Sequence, residues 1–137
     1  MKVLIADDDP QLVRALRITL AAHGYEVVAA ADGAAAITLA AQTNPDLVLL
    51  DLGMPRLDGI EVIEALRGWT QAPIIVISGR VGSADKVEAL DAGADDYVTK
   101  PFDDIADLPV MIEKRLRNRR LRAENRALME ELRIKNE

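Results

Sequence analysis

Acidic side chains stand at the ends of two of the most apolar segments of this sequence. The run of residues 2–6 is followed at once by three aspartates, residues 7–9, and the run of residues 47–50 closes on Asp51. Carboxylates that lie close together repel one another, and their pKa values rise unless a cation lies between them. If the fold brings these groups together, they predict a site for a hard divalent cation with oxygen ligands, such as Mg²⁺.

Two further apolar segments end in groups that bind phosphate. One closes on Ser78 and the other runs into Thr99, Lys100 and Pro101. A lysine supplies a point positive charge for a phosphoryl group, and a serine hydroxyl donates a hydrogen bond to it. A carboxylate that faces magnesium, a lysine and a hydroxyl can attack phosphorus and form an aspartyl phosphate.

The segments that must position these groups alternate between short apolar runs and helical patterns. Proline at the first turn of a helix and glycine just beyond its end mark several boundaries. Strands are predicted at residues 2–6, 25–29, 47–50, 73–78 and 95–98, and helices at 10–23, 32–43, 58–67 and 83–91.

The apolar runs lack the alternation of a half-exposed strand, which indicates that both faces of the sheet are covered. Five such strands separated by helices predict right-handed crossovers and a parallel sheet with helices on both sides. The fold class is therefore α/β, a flavodoxin-like doubly wound five-stranded parallel sheet of strand order 2-1-3-4-5. Ligands bind such sheets at the carboxyl ends of the strands, which is where the aspartates, the serine and the lysine converge.

Taken singly, each of these residues has an ordinary structural explanation. A strand-terminal aspartate often caps the next helix, and we expect Asp9 to do so. A serine after a strand commonly caps a helix as well. His23 is expected to be a capping or surface residue and Trp69 a packing anchor in a loop. Only the occurrence of polar groups at four successive strand ends makes the signal specific.

Composition limits the alternatives. A chain of 137 residues, half of them hydrophobic, is long enough for one folded domain. It has no cysteine, which excludes disulfides and cysteine nucleophiles. No apolar run approaches the roughly 18 residues of a membrane helix, and the start of the chain does not resemble a signal peptide. A cytoplasmic protein is expected.

The motifs together resemble the response regulator receiver family, of the CheY-like superfamily, over residues 2–102. The runs that carry the resemblance are LIADDD, LVLLDLGMPRLDGIEVI, IIVISGR and DAGADDYVTKPF. The resemblance implies a phosphoacceptor of a two-component system, which receives a phosphoryl group from a histidine kinase or phosphotransfer protein. It also implies a signalling protein rather than an enzyme with an outside substrate, one that catalyses only its own phosphorylation and autodephosphorylation.

By that resemblance, Asp51 is the phosphoacceptor and a ligand of Mg²⁺. Asp8 is expected to bind the metal directly and Asp7 partly through water, while Gly53 offers its backbone carbonyl.

Ser78 and Lys100 are expected to bind the phosphoryl oxygens, and the peptide bond before Pro101 is expected to be cis. Tyr97 matches the aromatic residue that turns inward once Ser78 moves toward the phosphate, so these two residues form the predicted switch. Gly53 and Arg80 border the path of a water molecule that would remove the phosphoryl group.

The end of the chain differs from the body. Residues 66–102 most resemble receivers of OmpR-type winged-helix regulators of the KdpE kind, and the likeness stops at Phe102. Residues 1–109 carry a net charge of −10 and residues 110–137 one of +4. We expect a receiver domain at 1–117 and a helical extension at 118–137, within one helix of about 30 residues. A heptad can be written with Asn118, Asn125 and Leu132 at a and Leu121, Leu128 and Lys135 at d.

The extension has several possible roles. It is a solvated helix that caps the domain, a parallel dimerising coiled coil, or a linker helix into a module missing from this chain. Direct nucleic acid binding is not expected, because the arginines of KRLRNRRLRAEN are interleaved with core-type leucines and leave no separate DNA-contacting arm.

Two rival functions fit the residues less well. A haloacid-dehalogenase-like phosphatase would carry a second aspartate two residues after its nucleophile, where this sequence has Gly53. A flavodoxin-like electron carrier needs a loop rich in Ser, Thr and Gly after strand 1, whereas the acidic run there would repel FMN phosphate. A receiver-like module that is never phosphorylated is discounted, because every site residue is present.

Overall fold

The computed structural model describes residues 1–54, 58–79, 83–99 and 107–135. Its strands are Lys2–Ala6 (β1), Glu26–Ala30 (β2), Leu47–Asp51 (β3), Ile74–Ser78 (β4) and Asp96–Thr99 (β5). They form one sheet in the order β2-β1-β3-β4-β5, and every pair is parallel. The predicted α/β fold class and strand order are confirmed.

Helices connect the strands and cover both faces of the sheet. Aspartate caps begin three of them: Asp9 accepts from the Gln11 amide at 3.0 Å, Asp32 from Ala35 at 2.7 Å and Asp58 from Ile60 at 3.1 Å. The helices are Pro10–Ala22 (α1), Gly33–Thr43 (α2), Gly59–Arg67 (α3), Ser83–Ala92 (α4) and Asp107–Lys135 (α5).

The end of α1 follows the prediction, with one residue shifted. His23 is the C-cap, and its Nδ1 lies 2.9 Å from the Thr19 carbonyl oxygen. Gly24 takes a φ of 87°, a left-handed conformation that suits glycine. The Tyr25 amide donates to the Leu20 carbonyl at 3.1 Å, so Tyr25 belongs to this turn and β2 begins one residue later than predicted.

One expectation about the surface is wrong. Trp69, which the sequence places as a packing anchor, lies in the turn after α3 with 47% of its surface exposed.

No helix of the described residues has the length and apolar character that crossing a membrane requires.

The core consists of two layers, because alternate residues of each buried strand point to opposite faces of the sheet. Val3 and Ile5 of β1 pack under α1 and α5, whereas Leu4 and Ala6 pack under α2, α3 and α4. All five residues of β3 and all five of β4 are buried, which explains why these runs are apolar without interruption.

Helix α5 crosses the sheet and then leaves it. Leu108, Ile112 and Leu116 pack in the core beside α1. Arg115 then forms an ion pair with Asp96, the first residue of β5, and donates to the Asp95 carbonyl at 3.1 Å. The hydrogen bond to Asp96 raises the pKa of the Arg115 guanidinium above its already high ordinary value.

A second arginine ties two loops together at the amino edge of the sheet, the one before β4 and the one before β5. Arg67, at the end of α3, donates to the carbonyl oxygens of Gly93 at 2.9 Å and Ala72 at 2.7 Å. It also pairs with Asp95 at 2.9 Å, and the same Asp95 oxygen accepts from the Ile74 amide at 2.8 Å. Arg67 thus fixes where β4 and β5 begin.

Replacing Arg67 by alanine should lower the free energy of unfolding by about 3 kcal/mol. The change removes hydrogen bonds from a charged donor and leaves partly buried carbonyl oxygens without that donor. Urea denaturation followed by circular dichroism measures the loss. Arg14→Ala is the matched control, because Arg14 is exposed on α1 and should change stability by less than about 0.5 kcal/mol. Equal losses in the two variants would contradict this role of Arg67.

Candidate functional site

Three carboxylates meet at the carboxyl edge of the sheet. Asp7 and Asp8 follow β1, and Asp51 ends β3, the strand beside it. The register pairs Ala6 with Leu50, so the aspartates emerge side by side. One carboxylate oxygen from each of the three lies within 4.8 Å of the others. The predicted acidic group is therefore brought together, from residues 44 positions apart in the chain.

The three aspartates differ in exposure. Only 2% of Asp7 and 8% of Asp51 are exposed, whereas Asp8 is open to solvent. Backbone amides hold the two buried carboxylates: Asp9 donates to Asp7 Oδ1 at 2.9 Å, and Gly53 donates to Asp51 Oδ1 at 3.1 Å. These bonds fix the orientation of the two carboxylates.

The donor set fits a divalent cation such as Mg²⁺. Carboxylate oxygens are the ligands that hard cations prefer, and Mg²⁺ typically takes only a few of them together with water and phosphate oxygens. A cation here would also offset the repulsion among three anionic groups held within 4.8 Å. Asp7, Asp8 and Asp51 are the residues that could hold it.

Asp9, the third member of the acidic run, does different work. Its side chain turns away to the start of α1 and accepts hydrogen bonds from the Gln11 amide at 3.0 Å and the Leu12 amide at 3.4 Å. The prediction that Asp9 is a helix cap is confirmed. Of the three consecutive aspartates, Asp7 and Asp8 thus belong to the acidic group at the edge of the sheet, whereas Asp9 belongs to the start of α1.

Ser78 lies at the same edge, one strand further along. It ends β4 with 1% of its surface exposed, and the register pairs Asp51 with Ile77 directly before it. Tyr97 lies on β5 opposite Val76 and packs, half-buried, against the core layer under α4. Lys100, Pro101 and Arg80 lie outside the described residues, so their predicted roles stay predictions.

A close backbone approach beside Asp51 was missed by the sequence analysis. Gly59 is buried at the start of α3, and a β-carbon there would lie 2.6 Å from Leu52 Cα, which is a clash with backbone. Leu52 directly follows Asp51, so the absence of a side chain at 59 lets the start of α3 pack against the backbone next to the carboxylate. The only signal was a glycine in the first turn of a helix, within LDGIEVI.

Comparison with known protein families and structures gives a consistent result. The model of the family described as response regulator receiver domain matches residues 3–113. The chain is 60% identical over 100 residues to the transcriptional regulatory protein KdpE of Mycobacterium tuberculosis, covering 73% of this chain and 44% of that protein. It is 42% identical over 127 residues to the probable transcriptional regulator ycf27 of Cyanophora paradoxa, covering 93% and 51%. The chain thus spans about half the length of these relatives.

Among solved structures, the BeF3-activated N-terminal receiver domain of Klebsiella pneumoniae RstA superposes with a TM-score of 0.80 at 32% identity. The match covers 99% of that chain and 85% of this one. The shared fold therefore accounts for nearly all of the RstA receiver, while part of the present chain has no counterpart in it.

Removing one charge from the acidic group should have opposite effects with and without a cation. Without divalent ions, Asp8→Asn should stabilise the fold by about 1 kcal/mol, because it removes the repulsion between residue 8 and the carboxylates of Asp7 and Asp51. The gain is small because Asp8 is exposed and water screens this repulsion. Adding Mg²⁺ should raise the melting temperature of the parent chain and change that of the variant much less.

Thermal denaturation in chelator and in Mg²⁺ measures both effects. Asp9→Asn is the matched control, since asparagine caps a helix as well as aspartate does and the Mg²⁺ response should be retained. A variant at Asp8 that keeps the full Mg²⁺ response would contradict the assignment of Asp8 as a ligand.

Proposed function

The chain belongs to the response regulator receiver family of two-component systems, and from this premise we propose that Asp51 accepts a phosphoryl group from a histidine kinase or a phosphotransfer protein. The observation that carries the proposal is the buried Asp51 carboxylate at the end of β3, with oxygens of Asp7 and Asp8 within 4.8 Å. A lone buried carboxylate would be costly to keep charged. A cation held by the neighbouring aspartates would keep this carboxylate charged, and a charged carboxylate can act as a nucleophile.

Magnesium is the proposed cofactor. Asp7, Asp8, Asp51 and the Gly53 backbone carbonyl would hold it, with Asp8 binding directly and Asp7 partly through water. When bound, Mg²⁺ would neutralise charge that develops on the transferring phosphoryl group.

The phosphoryl transfer itself is a direct displacement. A carboxylate oxygen of Asp51 attacks the phosphorus of a phosphohistidine, the P–O bond forms and the P–N bond breaks. The electron pair of the broken bond stays on the imidazole nitrogen of the donor. The bond from the Gly53 amide to Asp51 Oδ1, 3.1 Å long, keeps the carboxylate oriented during this step. The Ser78 hydroxyl and the Lys100 ammonium would donate to the phosphoryl oxygens.

Autodephosphorylation uses the same geometry with water as the nucleophile. Water adds to phosphorus, the bond to Asp51 breaks, and the carboxylate and inorganic phosphate are released. Gly53 is exposed, and even a β-carbon built on it would lie 3.8 Å from Asp51 Oδ1, so this residue gives the phosphoryl group no shield. Arg80 is the other residue proposed to border the path of the water.

The proposed switch runs from Ser78 to Tyr97. Ser78 is paired with Thr99 in the β4–β5 register, two residues from Tyr97 on the same strand. Phosphorylation adds nearly two negative charges at this edge. We expect Ser78 to be drawn toward them, Tyr97 to change rotamer, and the surface formed by α4, β5 and α5 to change with it.

Phosphorylation should depend on Asp51 and tolerate a change at Asp9. With acetyl phosphate and Mg²⁺, the parent chain should gain the mass of one phosphoryl group, and Asp51→Asn should gain none because an amide oxygen is a poor nucleophile. Intact-protein mass spectrometry gives the readout. Asp9→Asn should label at the parent rate, since that side chain only caps α1. Labelling of Asp51→Asn at the parent level would refute the proposed phosphoacceptor.

We propose a receiver domain at residues 1–117 and a helical extension at 118–137 through which two chains dimerise. Residues 120–133 are all exposed. At about 100° per residue, Leu121, Leu128 and Leu132 lie roughly 160–200° around the helix from the buried Ile112. The leucine stripe thus faces away from the body of the same chain, where the helix of a second copy can pack on it as a parallel coiled coil.

Light scattering should then give the mass of a dimer for the parent chain and of a monomer for a chain ending at Arg117. Leu121→Gln combined with Leu128→Gln should also yield a monomer, because it places polar groups at two d positions. Arg120→Gln combined with Ala127→Gln is the matched control at two c positions and should stay dimeric. A parent chain that is monomeric at all concentrations would contradict the coiled coil and favour a solvated capping helix.

A further inference from the structure

Four arginines form a row on the inner face of α5, where the helix leaves the sheet. Arg115, Arg119, Arg122 and Arg126 follow one another at spacings of four, three and four residues, which places them on one side of a helix. They lie within about 80° of the core residue Ile112, and so on the side opposite the leucine stripe. The row continues the line of the buried residues past the amino edge of the sheet.

This arginine row is one wall of a cleft. The other wall is made by Gln71 and Pro73, just before β4, and by Asp95, just before β5. The space between them is about 690 Å³, which is within the range of sites for small organic ligands. The cleft lies at the opposite edge of the sheet from Asp51, so it is separate from the phosphoacceptor site.

Two of the arginines are already fixed in place. Arg115 is paired with Asp96, and Arg119 donates to the Asp46 carbonyl at 3.1 Å. Asp95, the one acid among the described residues that line the cleft, accepts from Arg67 at 2.9 Å and from the Ile74 amide at 2.8 Å. The Asp95 charge is therefore largely neutralised by Arg67, and the cleft keeps a positive character.

The other two arginines lack such partners. Within the part of the chain that the structure describes, no acidic side chain lies within ion-pair distance of Arg122 or Arg126. Like charges one helical turn apart destabilise a helix by roughly 0.2–0.5 kcal/mol per pair. An anion between them would remove this repulsion. Arginine is also the side chain whose fork of donors best matches phosphate oxygens.

We propose that this cleft binds a compact ligand that carries two or more phosphate groups. Arg122 and Arg126 bind the phosphates, and Arg115 and Arg119, held by the sheet, set the position of the helix that carries them. The side-chain amide of Gln71, on the opposite wall, supplies a polar group for the rest of the ligand. No aromatic side chain lines the cleft among the described residues, which argues against base stacking of a single-stranded nucleic acid.

Isothermal titration calorimetry of the full chain with inorganic tripolyphosphate tests the site, at low and moderate salt. The parent chain should bind one equivalent. Arg122→Gln combined with Arg126→Gln should weaken binding about tenfold or more, because two charge-assisted contacts are lost. Arg117→Gln combined with Arg120→Gln is the matched control. It removes the same charge from the far side of the helix, near Tyr25 and Glu113, and should change affinity by less than about twofold to threefold.

Melting curves and light scattering on the same samples check that both variants keep the fold and the oligomeric state of the parent. Equal weakening by the two variants would mean diffuse attraction to a basic helix and would overturn the proposal. So would the absence of saturable tripolyphosphate binding. Tighter binding of a DNA duplex that both variants weaken alike would also overturn it, in favour of a nucleic acid surface. None of these results depends on Asp51, which remains intact in every variant.

Discussion

Electrostatic repulsion among Asp7, Asp8 and Asp51 is the constraint on which the rest of the structure depends. Three carboxylates with oxygens within 4.8 Å do not stay together unless something holds the backbone that carries them. The hydrophobic burial of β1 and β3 supplies that hold, since both strands are covered on two faces and paired along their length. The stability of the core thus keeps an anionic site assembled, and the proposed cation binding and phosphorylation would both act on the repulsion within it.

Much of this arrangement could be predicted from the residues alone, because the features concerned are local. An unbroken apolar run is a buried parallel strand, an aspartate before a helix is a cap, and the βαβ rule then determines which strand ends meet. The position of Asp7, Asp8, Asp51 and Ser78 at one edge of the sheet was predicted this way. Where a boundary was displaced, as at Tyr25, the cause was a hydrogen bond to Leu20 that no local pattern encodes.

Features that depend on contacts between distant parts of the chain could not be predicted. Arg67 is an ordinary basic residue in the last turn of α3 by sequence, yet it binds Gly93 and Asp95, which follow the next helix of the chain, α4. Gly59 has no unusual φ, and its role follows only from its distance to Leu52. The cleft beside α5 is a further case, because the sequence shows the spacing of the arginines but not that the amino edge of the sheet lies opposite them.

The anchoring of α5 at Arg115 and Arg119 has a mechanical consequence. The helix runs unbroken from Asp107 to Lys135, and among the described residues its last hydrogen bond to the body of the domain is the one from Arg119 to the Asp46 carbonyl, just before β3. About 24 Å of rigid rod extends past that pivot, at roughly 1.5 Å per residue. A rocking of only about 10° at the sheet, caused by a change near β5, would displace the far end by about 4 Å. Helix α5 thus acts as a lever: a small rotation where it packs on the core becomes a larger displacement at its far end.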